Sequence, residues 1–122
     1  MIRYIVIHHT GVDADSSPEE IDNYHKSLRW SGIGYHLVVR QDGSVYYVGD
    51  VSTTRANVHG RNDEVVGIVL SGDFSKYWPL PLQLAGARRA VAFALREIGR
   101  KVPVAGHKEI ALDASPTACP GE

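Results

Sequence analysis

The chain has 122 residues, 13 basic against 14 acidic side chains for a net charge of -1, and 43% apolar residues. That length is one domain by the usual prior, able to bury a core without disulfides, and so even a charge balance excludes the basic footprint of a nucleic-acid binder. A single cysteine, Cys119, excludes an intramolecular disulfide, while the opening residues turn polar too soon for a signal peptide and no apolar stretch reaches the length of a membrane span.

Ile2 to Ile7 is a compact run rich in β-branched residues, which predicts a buried strand. A loop from Thr10 to Pro18 follows. Ser17-Pro18-Glu19-Glu20 predicts a helix start, with a serine cap, a proline at the first helical position and acids in the first turn. Ile21, Tyr24, His25 and Leu28 continue at helical spacing until Gly32 and Gly34 end the segment. Tyr35 to Arg40 reads as a strand, Gln41-Asp42-Gly43-Ser44 as a turn, and Ser44 to Val48 as the hairpin partner. Gly49 to Glu64 is polar and predicts a long loop across the top of the fold. Val65 to Leu70 is a second buried strand, ended by Ser71-Gly72-Asp73.

Leu80 to Gly99 predicts the principal helix, with Leu84, Ala87, Arg88, Val91, Leu95 and Ile98 recurring at helical spacing. Lys101 to Ala105 predicts a short strand, and the remainder a loop carrying His107 and Cys119. Strands separated by helices predict an α/β fold: a central mixed β-sheet flanked by helices, in a single domain over residues 1–122.

His8, His107 and Cys119 each lie at the end of a predicted strand or in the loop after it. Functional groups of open α/β sheets collect outside the carboxyl ends of strands, so these three can converge although distant in sequence. Two imidazoles and a thiolate leave one tetrahedral position open, the arrangement of a catalytic zinc site. The plainer alternative stands beside this one. A strand-end histidine is commonly a hydrogen-bonded structural residue, and a lone cysteine commonly packs as a small apolar side chain.

Several short motifs in order resemble the zinc-dependent N-acetylmuramoyl-L-alanine amidase family shared by bacterial autolysins, phage amidase-type lysozymes and peptidoglycan recognition proteins. Ile5-Val6-Ile7-His8-His9-Thr10 resembles its opening strand, and Gly34-Tyr35-His36-Leu37 with Asp42-Gly43 its next signature. Gly60-Arg61-Asn62, Val66-Gly67-Ile68 and Gly72-Asp73-Phe74 resemble the central loop and strand. Gly106-His107-Lys108-Glu109 and Thr117-Ala118-Cys119-Pro120-Gly121 resemble the closing metal motif.

The resemblance implies zinc ligands at His8, His107 and Cys119, with His9 left to structural contacts because strand neighbours face opposite ways. It implies an active-site role for Tyr35, and an oxyanion-stabilising role for Thr117. Three departures go with it. A glutamate of the cytosolic members falls on Val69, which groups the chain with the phage and recognition-protein branch. A histidine common in the central loop falls on Asn57, with His59 two places on and expected at the surface. The loop between His107 and Cys119, through Ala111-Leu112-Asp113-Ala114, is unusually long.

The function implied is a zinc hydrolase cutting the amide bond between N-acetylmuramic acid and L-alanine of peptidoglycan; a recognition module that binds peptidoglycan without cutting is the alternative. The expected partner is peptidoglycan or a muropeptide, with neither nucleic acid nor membrane, for a monomer acting on the cell wall in the manner of an endolysin and carrying no export signal.

Overall fold

The computed structural model describes residues 1–107. In chain order the elements are β1 (Tyr4–His9), α1 (Pro18–Ser27), β2 (Leu37–Val39), β3 (Val45–Tyr47), a 3-10 turn (Asn62–Glu64), β4 (Val65–Leu70), α2 (Pro81–Ile98) and β5 (Val104–Gly106). The five strands form one sheet in the order β3-β2-β4-β1-β5. All neighbours are parallel except the β2–β3 hairpin, so the sheet is mixed, as the sequence predicts.

The register sorts the strand residues onto two faces. Ile5, Leu37, Val39, Val66, Ile68 and Leu70 form one buried cluster with Ala90 and Ala94 of α2. On the opposite face Val38 and Val69 pack with Ile21 of α1 and Ile33, and Val6 and Val65 pack with Val58 of the long loop. β4 is buried along its whole length, which accounts for its unbroken apolar sequence.

Both helices carry their own boundary signals. The Ser17 side chain accepts from the Glu20 N–H while the Glu20 carboxylate accepts from the Ser17 N–H, a reciprocal capping box with Pro18 opening the helix. α2 stops at Gly99, whose φ of 83° places it in the left-handed region that favours glycine.

The face that α2 turns to the sheet is centred beside the predicted one. Its buried residues are Gln83, Gly86, Ala90 and Ala94, with Ala87, Val91, Leu95 and Ile98 flanking them, while Leu84 is exposed. Small residues let the helix axis approach closely. A side chain at Gly86 would come within 2.4 Å of the Gly43 carbonyl oxygen in the hairpin turn.

Strand ends also shift. β1 runs on to include His8 and His9, because it is paired with β4 as far as His9↔Leu70. β5 begins only after Pro103, which lacks an N–H to pair, and ends at Gly106. β2 is confined to Leu37–Val39, and the His36 side chain carries on the join to β4 by accepting from the Gly67 N–H through Nδ1 at 3.0 Å. No described helix is long and apolar enough to cross a membrane.

Candidate active site

Parallel pairing of β1 with β5 matches Ile7 to Gly106, so the next residue of each strand, His8 and His107, emerges at the same carboxyl edge. Their rings stand edge to face with centroids 4.7 Å apart. His8 is 1% exposed, on the α1 side of the sheet, in register with Val69. Its Nε2 lies 3.0 Å from Oδ1 of Asn57. Burial, and then the neighbouring His107, push the His8 pKa down to about 3, against an opposing effect of the Asn57 contact. Burial likewise lowers His107. Both rings are therefore neutral at pH 7, the form in which imidazole ligates a metal.

Tyr35 sits between two histidines. Its ring centroid is 5.0 Å from that of His8 and 5.4 Å from that of His25. His25, on the inner face of α1, accepts from the Gly34 N–H through Nδ1 at 2.8 Å and packs against Trp30 at 4.5 Å. Tyr35 also lines a cleft of about 560 Å³ with Thr10, Ser16, Ile21, Tyr24 and His25. The phenol thus lies between the buried His8 ring and an open cleft.

His9 points to the opposite face. Its Nδ1 accepts from the Phe74 N–H at 3.1 Å and lies 3.8 Å from Asp73, so it holds the turn after β4. His59 is exposed, as expected. Val69 is fully buried beside His8, and the apolar cluster rather than a carboxylate fills that position. Thr117, Cys119 and the loop through residues 111–114 lie outside the described residues. Among the described residues no group of three His, Cys, Asp or Glu side chains is placed to hold a metal ion; two of the three expected donors, His8 and His107, are brought together.

Asn57, His25, His36 and Gln83 are site or support residues that sequence reasoning did not assign. His36 is fully buried, its Nε2 2.7 Å from the Thr53 carbonyl oxygen. Gln83 is 2% exposed and donates from Nε2 to the carbonyls of Val39 and Ser71, tying α2 to the carboxyl edge of the sheet. The one available signal was the family histidine falling on Asn57.

A family model described as N-acetylmuramoyl-L-alanine amidase matches residues 1–122. The chain belongs to this family. It is 32% identical over 116 residues to an endolysin of Enterobacteria phage K11, covering 91% of this chain and 74% of that protein. It is 29% identical over 129 residues to peptidoglycan-recognition protein LB of Drosophila melanogaster, covering 97% of this chain and 54% of that protein, about half its length. The amidase LysC from Clostridium intestinale URNW superposes with a TM-score of 0.87 at 30% identity, covering 99% of this chain and 77% of that one. PGRP-SA of Apis mellifera superposes at 0.83 and 27% identity, covering 98% and 76%. The amidase-family architecture, a central sheet flanked by helices, is therefore shared with bacterial and insect proteins.

Proposed function

We propose that this chain binds peptidoglycan and, with zinc held by His8, His107 and Cys119, hydrolyses the amide between N-acetylmuramic acid and L-alanine. The observation that carries the reading is the juxtaposition of His8 and His107 at one sheet edge, with Tyr35 linking them to a cleft. Two neutral imidazoles from adjacent strands suit zinc, and Cys119 as thiolate would complete a three-donor set. When bound, zinc supplies Lewis acidity toward the amide carbonyl and lowers the pKa of water.

The protein's own contributions are separable from that chemistry. The cleft beside α1 holds the substrate so that its amide carbonyl faces the histidine pair. The Tyr35 hydroxyl donates a hydrogen bond to the carbonyl oxygen as it gains charge, and Thr117 acts in the same sense. The apolar residues around His8, Val69 among them, keep bulk water from the buried side of the ring.

The second reading is a recognition module that binds without cutting. Its support is that the relatives include both kinds, endolysins and recognition proteins. Binding to the wall is common to the two readings, and it also underlies the expected site of action. Sedimentation with purified cell wall measures binding, and release of stem peptide from the same wall measures cutting. The hydrolase reading expects both from one preparation. Sedimentation without peptide release, in protein shown to contain zinc, would leave the recognition module as the function.

A further inference from the structure

We infer that Asn57 is a positioning residue that fixes His8 in the Nε2–H tautomer and so presents Nδ1 as the nitrogen that meets the metal. The inference rests on the zinc reading above, but its geometry does not. The amide of Asn57 is oriented by its own partners: Nδ2 donates to the Arg55 carbonyl at 3.1 Å. Reversing the amide would set two oxygens against each other, so Oδ1 is the atom that faces His8 Nε2 at 3.0 Å. An amide oxygen only accepts. Nε2 must therefore carry the proton, and a neutral imidazole protonated there keeps its lone pair on Nδ1.

The backbone that carries the carboxamide is fixed by Asn62. The Asn57 N–H donates to Asn62 Oδ1 at 3.1 Å, and the Val58 N–H donates to the same oxygen at 2.9 Å. Beneath it lies Gly67 of β4. A Cβ there would come within 2.7 Å of Asn57 Oδ1, so the missing side chain is the space in which the amide sits. Asn57 is itself 8% exposed. A long loop thereby delivers one buried acceptor to a histidine 49 residues away, and a hydrogen-bonded outer partner of this kind sets both the tautomer and the orientation of a ligating ring.

The test uses the whole chain, first stripped of metal, with nitrogen-detected NMR at neutral pH to read which nitrogen of His8 carries the proton. The expected result is a protonated Nε2 and an unprotonated Nδ1, with zinc addition moving the Nδ1 resonance. Asn57→Leu should give a mixed tautomer and weaken zinc binding about tenfold to a hundredfold, the usual effect of losing such a partner. A proton on Nδ1 in the metal-free wild type, zinc perturbing Nε2, or an unchanged tautomer and zinc affinity in Asn57→Leu would each overturn the assignment. A wild type that binds no zinc would count against the zinc reading instead, and the tautomer in metal-free protein would still decide the role of Asn57.

Discussion

Burial makes His8 a poor base for protons, which suits the ligand role proposed for it. With its pKa near 3, the ring gives up nothing to proton competition at neutral pH. His9 differs in its placement: it faces the other side of the sheet and is engaged by the Phe74 N–H. Metal analysis of single variants separates them. His8→Ala, His107→Ala and Cys119→Ala should each lose tight zinc binding, whereas His9→Ala should keep it and lose some stability. Zinc retained by His8→Ala and lost by His9→Ala would move the ligand to the wrong face. Tyr35→Phe removes one hydroxyl and keeps the ring contacts to His8 and His25. It should retain fold and zinc while slowing turnover on muropeptide by roughly tenfold to a thousandfold, in line with single acid or oxyanion contacts. Unchanged turnover would make Tyr35 a spacer between two histidines.

At the scale of elements, the helix starts and stops are held by local chemistry. Ser17→Ala breaks the capping box of α1 and should cost about 1 kcal/mol, read as a lowered midpoint of chemical unfolding. Because α1 carries Ile21 and His25 to the cleft, the loss should also loosen that wall. Local signals of this kind were legible in the sequence: Ser17-Pro18, Gly99 and the apolar run of β4 lead to elements close to those observed. Strand ends were less so, since β1 stops where its partner β4 stops and not where its own residues change character. Of the predicted α2 face, Ala87, Val91, Leu95 and Ile98 do pack on the core, but its fully buried centre was not legible, for a related reason. Gly86, Ala90 and Ala94 look unremarkable one by one; Gly86 is buried by the close approach of the hairpin turn, and Ala90 and Ala94 by the sheet they pack on. In the candidate site, His8, His107 and Tyr35 were legible through ordered motifs. Asn57 was not, because its meaning lies in a contact across 49 residues.

For the whole molecule, the sheet joins the two sides of the site, and buried histidines make that assembly sensitive to acid. His36 accepts from Gly67 and faces the Thr53 carbonyl, so protonation would cost it an acceptor; burial lowers its pKa below the ordinary value of 6.5, and burial lowers His25 as well. The unfolded chain binds these protons first. Stability from the neutral rings is therefore complete above about pH 6.5 and declines as the pH falls below that value. Thermal unfolding across pH 7.5 to 4.5 should show a falling midpoint, and His36→Gln should flatten part of the slope; a midpoint that rises on acidification would contradict the assignment of neutral buried rings.

Under the proposed function, hydrolysis depends on zinc and Cys119 serves it as a ligand. The rival mechanism uses the same residues, with Cys119 as nucleophile and His107 as its base, and it has no use for a metal. The most direct measurement is stem-peptide release from purified cell wall before chelation, after verified removal of metal, and after zinc is added back. Loss of release on chelation and recovery with zinc is the predicted result. Undiminished release from protein shown to be free of metal would contradict the account, whatever the substrate proves to be.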